Sequence, residues 1–270
     1  MPGTPFETRA LFDVSLSIRD GEFVGVIGHT GSGKSTLIAH LNALIRPEPG
    51  RVIVSGVDVG QNGQSLIEIR REVGLVFQYP EYQLFEETVE KDVGYGPRNL
   101  GLPDAEVKVR VAEALSQVGI PEELSGKSPF ELSGGQKRRV AIAGVLAMRP
   151  STLVLDEPVA GLDPAGREEL LKLIQDIHKG GVTVIMVTHS MDDAARLCGR
   201  LIVLNRGEVA FDAPPAEVFR HGDELVEMGL DVPECVKLVK RLNECGFHLP
   251  DNLFRMEDVE RAILKEVRGC

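Results

Sequence analysis

The chain has 270 residues, enough for one large domain or for one domain with a small appendage. Hydrophobic residues make up 43% and charged residues 26%, which is the balance of a globular protein. The formal net charge of −11 argues against a general nucleic-acid binder held by phosphate contacts and against direct adsorption to anionic lipid.

Neither a membrane span nor a secretion signal is predicted. No apolar run approaches the roughly 18 residues that cross a bilayer, and residues 1–9 lack the basic start and apolar stretch of a signal peptide. The cysteines form no C-x-x-C pair, so we interpret them as ordinary thiols of a reducing cytosol: Cys198, Cys235, Cys245 and Cys270.

Strand and helix patterns alternate in the first half of the chain. Turns are predicted at Gly21 and Gly56, and one amphipathic helix would place Val107, Val111 and Leu115 on a single face. The predicted strands are 23–27, 51–54 and 73–77, and the predicted helices are 34–45 and 104–118.

The second half repeats a helix–strand rhythm three times. Such alternation implies a mostly parallel sheet with helices on both faces, so the predicted fold class is α/β. Pro214 and Pro215 end the rhythm, and residues 216–270 predict a small, charged helical extension after a main domain of residues 1–215. The pairs are helix 134–148 with strand 152–155, helix 164–178 with strand 182–187, and helix 191–198 with strand 201–204.

A glycine-rich loop lies between the first strand and the first helix. Residues 28–35 fit G-x-x-x-x-G-K-[ST] in the strand–loop–helix context that this motif requires. Backbone N–H groups and the helix dipole would bind phosphate, Lys34 would reach the β- and γ-phosphates, and Ser35 would ligate Mg²⁺. A chance glycine-rich turn is the alternative, and the motif alone also covers kinases and GTPases. The predicted nucleotide-binding residues here are Gly28, His29, Thr30, Gly31, Ser32, Gly33, Lys34, Ser35 and Thr36.

Two carboxylates follow an apolar strand in the second half. Asp156 and Glu157 directly follow the predicted strand 152–155. The carboxyl ends of strands form the ligand-binding edge of open α/β sheets. Asp156 suits Mg²⁺, which takes few carboxylates and keeps waters. Glu157 is placed to activate an attacking water. A surface Asp-Glu pair without a role is the alternative.

A second anion-binding pattern precedes the helix 134–148. Glycines after Ser133 can form a nest of N–H groups at the helix N-terminus. The segment resembles the signature motif of ABC-type ATPases, and its residues are Leu132, Ser133, Gly134, Gly135 and Gln136. The resemblance implies a head-to-tail dimer in which Ser133 and Gly135 of one subunit contact the γ-phosphate held by the other. A simple helix cap is the local alternative.

Three further positions match the ABC family. Gln78 follows strand 73–77, where the family places a glutamine near Mg²⁺ and water, and His189 follows strand 182–187, where it places a γ-phosphate contact. Residues 161–163 match the loop that crosses the dimer interface. The implied catalytic residues are Glu157, His189 and Gln78, and the implied metal ligands are Ser35, Gln78 and Asp156.

A narrower resemblance joins the chain to the energy-coupling factor (ECF) transporters, which import vitamins and transition metals. The chain is most similar to the second of their two ATPase subunits, through residues 2–7, 27–33, 83–89 and 161–164. The resemblance implies ATP and Mg²⁺ as cofactors and a second ATPase subunit in a heterodimer or homodimer. It also implies a transmembrane scaffold T component, a substrate-binding S component and a peripheral position at the cytoplasmic face of the cell membrane, with no nucleic acid.

The same resemblance implies a docking surface for the T component. It would include residues 79–92, in which Glu86 and Glu87 could pair with arginines of the scaffold. A solvated acidic helix start, stabilised by the helix dipole, is an equally weighted alternative.

The N-terminus departs from the ECF pattern. Family members begin with an extra strand and an aromatic residue that stacks on adenine, whereas Met1 here stands directly before Pro2. Phe6 could substitute, although core packing is its more ordinary role. Either the start of the sequence is misassigned or truncated, or the protein binds ATP without the usual stacking platform. We expect weaker nucleotide affinity and an exposed sheet edge that invites aggregation.

The implied fold is a P-loop NTPase with an ABC-type helical subdomain at about residues 79–150. The sequence features bear on four alternatives to an ECF transporter ATPase. The ATPase of another ABC importer would lack the pattern at 83–89, and a DNA-repair or ribosome-acting ABC ATPase would carry a coiled-coil insertion or two cassettes. The signature segment counts against a P-loop kinase, and intact Glu157 and His189 count against a non-catalytic paralogue.

Overall fold

The computed structural model describes residues 9–47, 51–60 and 66–268. Residues 2–7 and Cys270, which entered the predictions above, lie outside this described part. Within it the chain forms eight strands: β1 (Phe23–Ile27), β2 (Ile53–Val54), β3 (Val57–Asp58), β4 (Val73–Val76), β5 (Thr152–Asp156), β6 (Thr183–Val187), β7 (Arg200–Asn205) and β8 (Glu208–Ala213).

Helices connect these strands and form the C-terminal end of the described chain. Short 3-10 helices cover Pro80–Gln83, Glu122–Leu124, Pro129–Glu131 and Phe219–His221. The α-helices are α1 (Lys34–Leu41), α2 (Leu66–Glu72), α3 (Val89–Val93), α4 (Tyr95–Asn99), α5 (Asp104–Gln117), α6 (Gly134–Leu146), α7 (Pro164–Lys179), α8 (Met191–Leu197), α9 (Pro215–Val218), α10 (Gly222–Glu227), α11 (Glu234–Glu244) and α12 (Met256–Arg268). None of the helices in the described ranges is long and apolar enough to cross a bilayer.

Residue contacts divide the chain into two compact units. The first combines Met1–Leu37 with Met186–Cys270. In it β1 pairs in parallel with β7, from Val24 opposite Arg200 to Ile27 opposite Val203, and β7 pairs antiparallel with β8. All five residues of β1 are buried, as expected for a parallel strand covered on both faces.

The second unit is Ile38–Ile185. In it β4 pairs in parallel with β5, from Val73 opposite Thr152 to Val76 opposite Leu155. Strand β6 begins in this unit, where the Thr183 N–H donates to the Ser151 carbonyl at 3.0 Å. Helices α3 to α6 lie between β4 and β5 in the chain, and no strand interrupts them in the described residues 77–151.

The predicted strands and helices are largely confirmed. Strands 23–27, 73–77, 152–155, 182–187 and 201–204 match β1, β4, β5, β6 and β7 to within one or two residues. Val107, Val111 and Leu115 are buried on α5, which confirms the predicted apolar face. The mostly parallel α/β sheet is confirmed as well, with β8 as an antiparallel edge.

The first helix is shorter than predicted, because α1 ends at Leu41 and not at residue 45. Ala43 takes a left-handed φ of 56°. The Leu44 N–H donates to the Ala39 carbonyl at 2.9 Å and the Ala43 N–H to the His40 carbonyl at 3.1 Å. These two bonds form a Schellman motif, which terminates a helix with one left-handed residue.

Strand β8 was missed by the sequence analysis. Its residues alternate between exposed and half-buried, and Arg206 and Gly207 form the connecting turn with φ values of 50° and 85°. Two left-handed residues in a tight turn are typical of a β-hairpin. The period-two alternation around Val209 and Phe211 was the available signal.

The C-terminal segment has a small core of its own. Cys235, Val239, Leu249 and Val259 form a buried cluster between α11 and α12. Two hydrogen bonds join this segment to α8, from the Glu234 N–H to Asp192 and from Arg255 Nε to the Ala195 carbonyl. The boundary at residues 215 and 216 remains a prediction.

Candidate functional site

The glycine-rich loop connects β1 to α1 in the first unit. A Cβ added at Gly28 would lie 2.4 Å from the Leu204 carbonyl oxygen. Gly33 has a φ of 104°, and its Cβ would lie 2.7 Å from Leu11 and 2.8 Å from the Ala10 carbonyl oxygen. The path of this loop therefore requires glycine at both positions.

Lys34 occupies the interior of the loop. It is 7% exposed, and its Nζ donates to the carbonyls of Gly28 at 2.6 Å and His29 at 2.9 Å. Ser32 is fully buried, and its Oγ has no hydrogen-bond partner in the described part of the chain. An ammonium and an unpaired hydroxyl are both groups that a phosphate oxygen can satisfy.

The start of α1 is open to solvent. Thr30, Gly31 and Ser35 are exposed, and His29 and Thr36 are half-buried. The first N–H groups of a helix have no partner within the helix and carry the positive end of its dipole. This side of the loop is therefore an anion-binding surface with the Ser35 hydroxyl at its edge.

His189 follows β6 in the same unit as the loop. The Thr188 N–H donates to the Val26 carbonyl at 3.3 Å, which fixes this end of β6 beside β1. Ser190 caps α8 through a bond from the Asp193 N–H to its Oγ at 3.2 Å. The exposed His189 is therefore held between two anchored residues, at the strand edge where the phosphate loop begins.

The strand ends of the second unit bring Gln78 and Glu157 together. Because β4 and β5 run in parallel and in register, the residues that follow them leave the sheet side by side. Gln78 Nε2 donates to Glu157 Oε2 at 3.2 Å. Asp156 is the last residue of β5 and is half-buried. The two predicted catalytic residues of this unit thus lie in direct contact.

Glu157 adopts an unusual backbone conformation. Its φ is 47°, in the left-handed region that favours glycine. Such a conformation costs about 1–3 kcal/mol and persists only where the surrounding structure imposes it. The turn after it is closed by a bond from the Ala160 N–H to the Glu157 carbonyl at 3.1 Å.

The signature segment begins α6 with a capping box. Ser133 Oγ accepts from the Gln136 N–H at 3.3 Å, and Gln136 Oε1 accepts from the Ser133 N–H at 3.0 Å. Gly134 and Gly135 are exposed, and a Cβ added to either would meet nothing within 4 Å. Neither packing against the residues that the structure describes nor a positive φ explains these glycines. They leave room for a group outside the chain.

Two residues that the sequence analysis did not select lie beside the strand ends. Arg138 of α6 is 3% exposed and forms a two-pronged ion pair with Glu81, at 2.7 and 3.0 Å. Its guanidinium also donates to two carbonyls of the loop after Glu157. The sequence contained a signal for Arg138. It stands four residues before the buried Ile142 and eight residues before the buried Leu146, which places it on the apolar face of α6.

The charge state of Glu81 follows from this pair. Burial by itself raises the pKa of Glu81, but the hydrogen bonds and positive charge of Arg138 outweigh burial, so the pKa lies below its ordinary value. Glu81 is therefore ionised at neutral pH.

Residues 79–92 present exposed aromatic side chains. Tyr82 is 84% exposed, and Phe85 packs edge-on against Tyr95 with ring centroids 5.0 Å apart. Asp92 Oδ2 fixes this segment by accepting from the N–H groups of Phe85 and Glu86 at 2.8 and 2.9 Å. Aromatic side chains on an ordered loop are typical of a protein contact surface.

The two acidic residues of this segment differ in environment. Glu87 is exposed and pairs with Lys91 at 2.5 Å, and this hydrogen bond lowers the pKa of Glu87. Glu86 is half-buried. Both precede Thr88, the N-cap of α3, so docking and helix stabilisation both remain consistent with their positions.

The donor groups of the site fit a hard divalent cation. Among the described residues, no cluster of three or more His, Cys, Asp and Glu could hold a metal ion. The candidates Ser35, Gln78 and Asp156 all offer oxygen, which Mg²⁺ prefers, and Mg²⁺ completes its shell with water and phosphate oxygens. Each of these three donors is therefore of a type that suits Mg²⁺ bound together with a nucleotide.

Comparison with known families gives a consistent result. A family model described as "ABC transporter" matches residues 11–160. The "Energy-coupling factor transporter ATP-binding protein EcfA2" of Caldanaerobacter subterraneus is 54% identical over 268 residues, which are 99% of this chain and 94% of that relative. The protein of the same name from Clostridium perfringens is 53% identical, over 100% of this chain and 95% of the relative.

Solved structures extend the likeness to three dimensions. The protein cbiO1 of Clostridium perfringens, described as part of the ABC transporter complex cbiONQ, is 38% identical with a TM-score of 0.73, over 86% of this chain and 92% of its own. The ATP-binding cassette MJ0796, a dimer in a post-hydrolysis state with ADP and phosphate, is 32% identical with a TM-score of 0.68. That match covers 76% of this chain and 90% of the cassette.

Proposed function

The chain belongs to the ABC transporter ATPases, among the ATP-binding subunits of energy-coupling factor transporters, and on this premise we propose how its residues use ATP. It is a P-loop ATPase that binds and hydrolyses ATP to drive transport. It works with a second ATPase subunit, a transmembrane T component and a substrate-binding S component. The cargo that we propose is a vitamin or a transition-metal ion.

ATP binding rests on the phosphate loop. Lys34 exchanges carbonyl contacts for contacts with the β- and γ-phosphates, and the N-terminus of α1 supplies N–H groups and dipole. The loop glycines admit the phosphate chain close to the backbone. The residues in this role are Gly28, His29, Thr30, Gly31, Ser32, Gly33, Lys34, Ser35 and Thr36.

Hydrolysis uses the residues at the strand ends. Glu157 orients the attacking water and accepts its proton, Gln78 helps to place that water, and His189 contacts the γ-phosphate. Ser35, Gln78 and Asp156 would hold Mg²⁺, whose positive charge offsets the negative charge that develops on the phosphate oxygens.

The signature segment acts on the ATP of the other ATPase subunit. Exposed N–H groups at the start of α6 donate to the γ-phosphate where charge develops. Gly134 and Gly135 support this role, because the space beside them is open and none of the described residues requires glycine there. The residues in this role are Ser133, Gly134, Gly135 and Gln136.

The hydrogen bond between Gln78 and Glu157 carries the transport proposal. Gln78 leads directly into residues 79–92, whose exposed aromatics suit a contact with the T component. Loss of the γ-phosphate changes the surroundings of Glu157, and Gln78 passes this change to the docking segment. The chain therefore works at the cytoplasmic face of the cell membrane, as a peripheral subunit.

Affinity purification of the tagged full chain from its native membranes tests this proposal. We expect a second ATPase subunit and a polytopic membrane protein among the bound chains, identified by mass spectrometry. Recovery of ribosomes or DNA without any membrane protein would overturn the transport role while leaving the ATPase chemistry intact.

A charge-reversal variant locates the docking surface in the same experiment. Glu86→Lys with Glu87→Lys should lose the membrane protein if these carboxylates pair with scaffold arginines. Glu122→Lys with Glu123→Lys is the matched control, since it reverses an exposed acidic pair elsewhere in the same unit. Equal recovery with both variants would assign Glu86 and Glu87 to stabilisation of α3 only.

A further inference from the structure

We infer that Arg138 is a positioning residue for ATP hydrolysis. Its side chain connects the signature helix α6 to the two loops that carry the reacting groups. The inference rests on the proposed roles of Glu157 and Gln78. Two sets of contacts and the short distance along α6 to the signature segment support it, all within the second unit. Arg138 itself is buried, so it reaches the reaction only through the residues that it holds.

The first contacts hold the loop that follows Glu157. Arg138 Nη1 donates to the carbonyls of Pro158 at 3.0 Å and Ala160 at 2.8 Å. Glu157 has a left-handed φ of 47°, which the neighbouring backbone must impose. Fixing two carbonyls within three residues of Glu157 is the restraint that such a conformation needs.

The second contacts hold the segment that follows Gln78. Nε and Nη2 of Arg138 donate to the two carboxylate oxygens of Glu81 at 3.0 and 2.7 Å. The guanidinium also lies 5.9 Å from the ring centroid of Tyr79, whose φ of 54° is likewise left-handed. Both left-handed residues next to the strand ends are therefore braced by one side chain.

The third connection is the helix itself. Arg138 stands three residues after Gly135, so less than one turn separates it from the signature. An α-helix is stiff over this distance, and a shift of the signature moves Arg138 with it. Contact between the signature and the partner's nucleotide therefore sets the position of Glu157 and Gln78 in this chain.

Stability alone is a weak explanation for this arrangement. A buried ion pair gains little net free energy after desolvation, and apolar residues of the same volume often serve as well. Arginine is the residue whose planar fork can satisfy a carboxylate and two carbonyls at once, and lysine cannot reproduce this geometry. The contacts of Arg138 therefore fit a role in positioning the two loops better than a role in packing.

The test compares two identical substitutions at neighbouring positions of α6. Arg138→Lys and Arg139→Lys are each introduced into the complete membrane complex, and kcat and KM for ATP are measured per nucleotide-binding site. Arg139 is the control, because it also bonds a carbonyl and a carboxylate, those of Val118 and Glu169, but neither strand-end loop. Normalising to bound nucleotide separates a loss of positioning from a loss of folded protein.

We expect Arg138→Lys to lower kcat per site at least about tenfold with KM nearly unchanged, and Arg139→Lys to change it less than about twofold. Glu81→Gln keeps the shape of the pair and should lower kcat by a smaller factor. It decides the question if Arg138→Lys fails to fold. The double variant should lose no more than Arg138→Lys alone, because both act through one contact.

The Glu157→Gln variant tests the proposed role of Glu157 separately from the positioning role of Arg138. If it hydrolyses ATP normally, the proposed role of Glu157 falls. If it abolishes hydrolysis while Arg138→Lys and Glu81→Gln both match the Arg139→Lys control, the role of Glu157 stands and the positioning role of Arg138 is overturned.

Discussion

Left-handed backbone conformations mark the residues that this fold places under strain. Most of the non-glycine examples in the described residues serve turns, as Ala43 does after α1, Ser55 between β2 and β3, and Arg206 before β8. Glu157 differs, because its carboxylate is the proposed base and a buried arginine donates to two carbonyls of the loop that follows it. Strain at a reacting residue fixes the direction of its side chain, which favours catalysis over stability.

Two features of position 33 require glycine. Its φ is positive, at 104°, and a Cβ added there would collide with Leu11 and Ala10. We expect Gly33→Ala to lower the free energy of unfolding by about 1–3 kcal/mol more than Gly21→Ala, since overpacking adds to the left-handed penalty. Gly21 has a φ of 75° and open space around it, so it isolates that penalty. Denaturant unfolding of both variants checks this, and equal losses would contradict the steric argument.

At the scale of elements, the hydrophobic periodicity and the turn-forming residues of the sequence predict most of this fold. The apolar runs of β1, β5 and β6 are unmistakable because both faces of these strands are buried. Strand β8 was missed because its residues alternate between exposed and half-buried, so no continuous apolar run marks it. The end of α1 escaped because alanine, a strong helix former, adopts the left-handed turn at position 43.

The candidate site was predictable as residues but not as contacts. Motif and strand position selected Gln78 and Glu157, and the register of β4 and β5 then places them in contact. Arg138 and Glu81 are 57 residues apart in the chain, and no local pattern pairs them. The one local hint was a charged residue on an apolar stripe of α6, which tertiary contacts alone explain.

Helix α6 combines a structural cap with a proposed contact to the partner's ATP, and one substitution separates these roles. Aspartate caps helices as well as serine, so Ser133→Asp should keep the free energy of unfolding within about 0.5 kcal/mol of the original. Its carboxylate would repel a γ-phosphate, so we expect ATP hydrolysis by the complex to fall at least about tenfold.

Ser133→Ala is the complementary control, because it removes the cap without adding charge. It should cost about 1 kcal/mol of unfolding free energy. Denaturant unfolding and steady-state ATPase assays separate the two outcomes. If the Ser133→Asp variant hydrolyses ATP at the original rate, the signature segment does not contact the γ-phosphate.

At the scale of the whole molecule, two divisions of the chain differ. The sequence predicts a boundary at residues 215 and 216, with a helical extension beyond it. Residue contacts instead group Met186–Cys270 with the segment that carries β1 and the phosphate loop. The buried cluster between α11 and α12 favours a separate extension, whereas the two bonds from it to α8 favour a joint unit.

A charge buried in the small core of the extension decides between these divisions. Val259 is fully buried there, and Val259→Asp should destabilise that core by about 3 kcal/mol or more, since the new polar group has no partner. Val267→Asp makes the same change at a 58% exposed position of the same helix and should have little effect. Hydrogen exchange reports where protection is lost. We expect the loss in Val259→Asp to stay within α11 and α12, because their apolar contacts are largely with each other. Faster exchange in β1 would instead make the extension part of the ATP-binding core.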